Sequence, residues 1–288
     1  MANIYPLQVE INEASILRVT KTFKQAYKDI INEVIATDNF SITHRREVLN
    51  NIEEILTDLG TDVQKFLEDE LPDYYRQGAD DAVKQLNNIG AHVEIGTGFS
   101  RIHKNAIFAL VDETATAFGD SLTGVKRSAD VLLGKVFREQ VTQKLATGLI
   151  SGQAIEEVKK NIKGTLAEQG LSALKDKSGR SWQLDRYAEM LFRTKAVETR
   201  NRGMVNRMVE NGYDLVQVSA HGGSCDACSE WEGKILSITG NNKDYPTVAE
   251  AEAGGLFHPN CRHAINVLVP SLARQTRAYD PNTGTLGE

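Results

Sequence analysis

Three cysteines are the whole thiol inventory of this 288-residue chain, and they lie close together toward its C-terminal end. They read Cys225-Asp-Ala-Cys228 and then His258-Pro-Asn-Cys261-Arg-His263. A C-x-x-C hook followed by H-x-x-C offers four soft or borderline ligands in two close pairs, the set a tetrahedral zinc ion requires. Two-residue spacers let both members of a pair reach one ion from a tight turn, and the ion closes the loop between the pairs. Cys225, Cys228, His258 and Cys261 are therefore the expected ligands of a structural Zn2+ site, with His263 or His221 as alternatives to His258 at the fourth corner. Three thiols cannot all pair internally, which favours a metal over a disulfide framework; a Cys225–Cys228 disulfide is the lesser alternative. Four satisfied ligands leave no open coordination position for catalysis. The zinc-deaminase pattern also fails, because Gly222-Gly223 follows His221 and Ser224 precedes Cys225. No catalytic residue is expected.

The elements that must position these residues are short strands behind a long helix. Residues 213–220 (YDLVQVSA) alternate apolar and polar side chains, the mark of a half-buried strand, and residues 234–238 and 264–269 are two further strand candidates. Residues 182–211 form an amphipathic helix carrying Leu191-Phe-Arg-Thr194 and Glu198-Thr-Arg200. Its Lys195, Arg200, Arg202 and Arg207 read as a solvated charged face. A module this small has little core of its own, and metal coordination coupled to folding supplies on the order of 10–16 kcal/mol.

Upstream the chain reads as helix. Residues 13–37 place Leu17, Thr20, Phe23, Tyr27, Ile30 and Val34 on one stripe, widened by Ile31 and Ile35. A second helix, with Ser41 or Thr43 as N-cap, carries Val48, Ile52, Ile55, Leu56, Leu59, Val63, Phe66 and Leu67, and Pro72 ends or kinks it. Residues 73–88 continue as a shorter helix before a Gly-rich loop at 90–98. Helices follow over 100–118, with Ile102, Ile107, Leu110 and Val111 as core, over 122–146, with Val131, Leu132, Val136, Phe137 and Val141, and over 153–168. The polar stretch Lys175-Asp-Lys-Ser-Gly-Arg180 is the best boundary. The expected fold is mainly α: a long-helix body over 1–180, a small α+β module over 181–270 built around the Cys/His cluster, and a polar tail over 271–288.

Composition narrows the function. The net charge of -6 argues against a protein that coats DNA, since phosphate contacts need clustered Lys and Arg. Aromatics at 7% and only six prolines suit long helices. No apolar run is long enough to cross a membrane and the first residues lack a basic-then-apolar signal pattern, so synthesis in a cytoplasm is expected.

The order of F-R-T, N-G-Y-D-x-V, C-D-A-C-x-x-W-E-G-K and G-L-F-H-P-N-C-R-H, spread over residues 182–270, resembles the C-terminal region of tailed-phage minor head proteins. These are the Mu F-type head morphogenesis group, and especially the phage minor capsid protein 2 family. The resemblance implies a virion component, in several copies at the capsid interior or portal vertex, partnered by the portal protein and by major capsid or scaffold protein. It implies work in head assembly, DNA packaging or DNA ejection, done by surfaces rather than by a reaction. DNA contact is compatible with it but not indicated by charge. Related sequences often carry Cys after the Arg of H-P-N-C-R, where this chain has His263. The rival expectation is a metal-dependent nuclease or nucleotide-transfer enzyme, for which His258 and Asn260 superficially resemble a ββα-metal site with His263 as the only second histidine at hand.

Overall fold

The structure is a computed structural model and describes residues 11–35, 42–94, 99–147, 160, 172–175, 181–221, 223–270, 279–280 and 285–286. Its elements run α1 (Glu13–Ile35), α2 (Ile42–Lys65), a π-helical turn (Phe66–Glu70), α3 (Leu71–Asn88), α4 (Arg101–Thr147), β1 (Ser172–Lys175), β2 (Ser181–Gln183) and α5 (Leu184–Glu210). There follow β3 (Leu215–Val218), α6 (Asp226–Ser229), β4 (Ile235–Ser237), α7 (Val248–Ala253), β5 (Ile265–Val267), β6 (Tyr279–Asp280) and β7 (Thr285–Leu286). The chain is mainly helical with one three-stranded sheet near its C-terminal end. The expected helix over 153–168, most of the boundary segment after Lys175 and most of the tail lie outside the described residues.

Two compact units divide the chain, and neither is continuous in sequence. One comprises Glu13–Phe66 and Glu113–Glu189. Within it α1 packs on α2, and Phe23 meets Phe118 with ring centroids 5.6 Å apart. The buried stripe of α1 is Ile16, Val19, Phe23, Ala26, Ile30 and Val34. The expected stripe was rotated: Leu17 stands half exposed because Ile16 and Val19 take the inward positions. On α2 the expected Val48, Ile52, Leu56, Leu59 and Val63 are all buried. Arg45 joins Asp130 at 2.6 Å, and Lys126 joins Glu53 at 2.7 Å.

The second helix gives way to the π turn just before Pro72, which falls in the first turn of α3, where its missing N–H costs nothing; a second expected break is absent. Residues 101–147 form one helix rather than two. Its buried positions Leu110, Thr114, Phe118, Ser121, Val125, Ala129 and Leu133 step by three or four, while Ile102 and Val131 are exposed. Polar and small residues in that stripe hide its helical period from a hydrophobicity reading. Val136, Phe137 and Val141 belong to that helix, but their burial is outside the description.

The other unit comprises Met1–Asn12, Leu67–Asp112 and Met190–Glu288. Its sheet has the order β4-β3-β5, antiparallel throughout, with Leu215 opposite Ser237 and Val216 opposite both Leu236 and Val267. One core joins the sheet to two helices: Ala82 and Leu86 of α3, Met204 and Met208 of α5, and Val216, Val218, Leu236, Ile265 and Val267 of the strands, with Cys228 and Cys261 at its margin. Gln85 of α3 covers the β5 edge, accepting from Val267 N at 2.8 Å and donating to Asn266 Oδ1 at 3.3 Å.

The helices approach closely enough that only glycine fits. A Cβ on Gly78 would collide with the Arg200 carbonyl, and one on Gly203 with the Tyr75 carbonyl. Beside this crossing a buried chain of polar groups is fully ordered. Glu210 accepts from His103 Nε2 at 2.9 Å, which leaves His103 Nδ1 to accept the Tyr75 hydroxyl at 2.8 Å, and Asn206 donates to the Tyr75 oxygen at 2.7 Å. Arg200 pairs with Asp81. Of the α5 face expected to be solvated, Arg202 is exposed and Arg200 half-buried, whereas Lys195 and Arg207 are buried and reach Glu198 and Glu210; Arg193 is buried as well.

Asp214 ties the β4 end to β3. It accepts from Ser237 Oγ at 2.6 Å and from Thr239 N and Oγ1 at 2.7 and 2.6 Å. Burial alone would raise its carboxyl, but these hydrogen bonds outweigh it and hold the group below its ordinary 3.8. A depressed pKa contributes stability above the unfolded value and loses it as pH falls through the folded one. Denaturant midpoints measured across that acid range should therefore fall for the wild type, and Asp214→Asn should remove part of the fall. Replacing Gly203 with Ala should destabilise the protein by roughly 2 kcal/mol or more. Gly60→Ala, where nothing lies within 4 Å of the new atom, should instead stabilise α2 by about 0.5–1 kcal/mol, both read by thermal unfolding.

Candidate metal centre

Each side chain of the Cys/His cluster is placed by a short local device. Cys225 caps α6, its carbonyl accepting from Cys228 N at 3.1 Å and Ser229 N at 2.9 Å, so one helical turn sets the C-x-x-C hook. The second pair sits in a turn closed by Cys261 N donating to His258 O at 2.9 Å. Phe257 and Asn260 flank that turn at φ of 60° and 67°, left-handed values that side chains seldom adopt. A long-range bond holds Asn260 there, its amide donating to Thr194 Oγ1 at 3.1 Å while the same hydroxyl donates to Met190 O at 2.6 Å. The Thr194 of F-R-T is thus an anchor for the H-P-N-C turn, a role that sequence spacing did not reveal.

The ligand atoms converge. His258 donates from Nδ1 to Pro259 O at 2.8 Å, since a carbonyl can only accept, and this leaves the Nε2 lone pair 3.0 Å from Cys225 Sγ. Cys228 Sγ and Cys261 Sγ are 3.6 Å apart, close to the roughly 3.8 Å that a tetrahedral ion with Zn–S bonds of about 2.3 Å imposes. All three thiols are free. Three overlapping groups could hold a metal ion: Cys225, Cys228 and His258; Cys228, Cys261 and His263; and His221, Glu232 and His263. The expected tetrad is therefore divided, with Cys228 common to the two sulfur-containing groups. Cys228 and Cys261 are buried and Cys225 is exposed.

The electrostatics favour a cation. Burial, with the sulfurs of Cys261 and Cys225 alongside, pushes the Cys228 thiol up to about 12, so it stays protonated unless positive charge arrives. Burial is the largest influence on Cys261 and acts to raise it, but hydrogen bonds from the His263 ring (Nδ1 at 3.3 Å), the His263 backbone and Cys228, with the charge of His263, together outweigh it and lower the thiol. The Nε2 of His263 lies 3.0 Å from Glu232 Oε1, which also accepts from His221 N at 3.0 Å. Burial works against the Glu232 carboxylate, and these hydrogen bonds prevail to hold it below the usual range.

Glu232, within W-E-G-K, lies close to Cys228 in sequence as a possible acid or base, and the structure brings it to His263 and His221. The motif's other members explain themselves by packing. Trp231 covers Gly254, where a Cβ would come within 2.7 Å of the ring, and Lys234 Nζ lies 4.6 Å from the ring centroid.

Over residues 38–283 the chain matches the family described as phage minor capsid protein 2. It belongs to that family. The match extends well beyond the C-terminal motifs that suggested it and takes in most of the chain, helical segments included. The protein is thus a phage head protein and a virion component. No match was found among curated proteins or among solved structures. Among the described residues no helix is long and apolar enough to cross a membrane.

Thr194→Val removes the acceptor that holds Asn260 while Thr194→Ser keeps it. Amide hydrogen exchange at residues 258–261 should accelerate about tenfold in the valine variant, the equivalent of roughly 1.4 kcal/mol, and stay near the wild-type rate in the serine variant.

Proposed function

We propose that this minor capsid protein binds the portal vertex or inner shell and serves head assembly, DNA packaging or DNA ejection through its surfaces. A Zn2+ ion held by Cys225, Cys228, His258 and Cys261 fixes the shape of its 181–270 module. Family membership over residues 38–283 is the observation that carries the head role. Two pairs, Cys225 with His258 at 3.0 Å and Cys228 with Cys261 at 3.6 Å, support the metal, and a sulfur-rich set favours zinc among common divalent ions. The orientation of His258, with Nδ1 on its neighbour's carbonyl and Nε2 on sulfur, favours a ligand over the general base of a nuclease. The acidic net charge supports protein partners over broad DNA contact.

The metal and the location are tested separately. Strong chelator applied to the reduced protein should expose residues 181–270 to protease and lower ellipticity, with recovery on adding Zn2+, and Cys228→Ser should mimic the chelator. Unchanged protease maps would refute a structural ion. Imaging of intact particles carrying a tagged copy should place density at the portal vertex or inner wall. Density only on the outer shell would overturn the proposed position.

A further inference from the structure

We propose that His221, Glu232 and His263 form a second divalent-metal position, an N2O set beside the sulfur-rich one and sharing no ligand with it. Their ligand atoms all lie within 4.8 Å of one another, drawn from a strand exit, the W-E-G-K turn and the lead into β5. The set is sheltered: His263 is 2% exposed and the Glu232 side chain 20%.

The contacts around His263 and Glu232 turn ligand atoms toward one point. A metal-bound Cys261 is a thiolate and can only accept, so the 3.3 Å contact from His263 requires the hydrogen on Nδ1. His263 Nε2 then turns a lone pair toward Glu232 Oε1 at 3.0 Å. A proton there makes an imidazolium–carboxylate pair, and a divalent ion would replace that proton using the same two atoms. Glu232 is held for the task, since the same oxygen accepts from the His221 backbone at 3.0 Å. The His221 ring lies 4.1 Å from that of His263, centroid to centroid and tilted by 32°, which brings a second imidazole to the position.

An ion there takes nitrogen from each histidine and oxygen from Glu232. A cavity of about 290 Å³, bordered by both histidines and by the sulfur cluster, supplies water for the fourth ligand. Two imidazoles and a carboxylate suit zinc, cobalt, nickel or manganese more than calcium or magnesium. The inference rests on the proposed sulfur site only for the tautomer of His263.

Cobalt separates the two positions, because sulfur-to-cobalt charge transfer marks thiolate ligation and a nitrogen–oxygen site lacks it. Reduced, metal-free full-length protein is titrated with Co2+, and the total bound metal is measured after gel filtration. The charge-transfer band should saturate at about one equivalent while the total reaches about two. Glu232→Gln, which keeps an acceptor for the His221 amide, should leave the band intact and drop the total to about one, and His221→Ala should do the same. Circular dichroism of both variants checks that they fold. A wild-type total of about one with a full band would overturn the second position, as would two equivalents retained by Glu232→Gln. A bound ion without any charge-transfer band, lost in Glu232→Gln, would instead refute the cysteine site and uphold this one.

Discussion

The close approach of α3 to α5 at Gly78 and Gly203 is the constraint on which the C-terminal unit depends. Strands of three or four residues cannot enclose a core, so their apolar faces must be roofed by something else. Ala82 and Leu86 from one helix and Met204 and Met208 from the other supply that roof. Because the two backbones nearly touch, one helix reaches the β5 edge of the sheet and the other the turn that precedes β5. Gln85 finishes the hydrogen bonding of β5, and Thr194 holds the H-P-N-C turn. The position of the cysteines is in this sense a consequence of two missing side chains far from them in sequence.

Within the cluster, polar chemistry is layered. Sulfurs at the core margin meet His263, His263 meets Glu232, and Glu232 is pinned by the His221 backbone. Such a chain holds the His263 ring and the Glu232 carboxylate in fixed orientations. The buried Tyr75–His103–Glu210 chain has the same logic without the sulfurs: each hydrogen has one acceptor, and each acceptor a fixed direction.

Much of this was legible in the sequence. The three strands of the sheet, the helix after the boundary and the α2 core all follow from period and alternation, because those segments bury apolar residues at regular steps. The Cys/His spacing pointed to the right neighbourhood, as local turns alone set each pair. What escaped shares a physical cause. The inward stripe of α4 runs through Thr114 and Ser121, and that of α5 includes Arg193, Lys195 and Arg207, so burial there is not marked by hydrophobicity. Pro72 marked the interruption, but the π turn that forms it is invisible to a 3.6-residue template. Glu232 stands near the cysteines in sequence, but its contact with His263 joins residues far apart in the chain and has no local signal, and Gly78 carries none until the carbonyl of Arg200 is seen against it.

The interleaved make-up of that unit has a temporal consequence. Leu67–Asp112 leaves the ribosome early, while the strands it must cover follow only after α4 and the stretch beyond it have been made. Nascent chains will therefore carry α3 with its apolar side uncovered for most of translation, and closing so long a loop is entropically slow. The Cys/His side chains are therefore brought together against their supporting helices only after that loop has closed. A fragment beginning at residue 181 would lack its roof from the outset, so excision at that point severs a single folding unit rather than freeing an autonomous one.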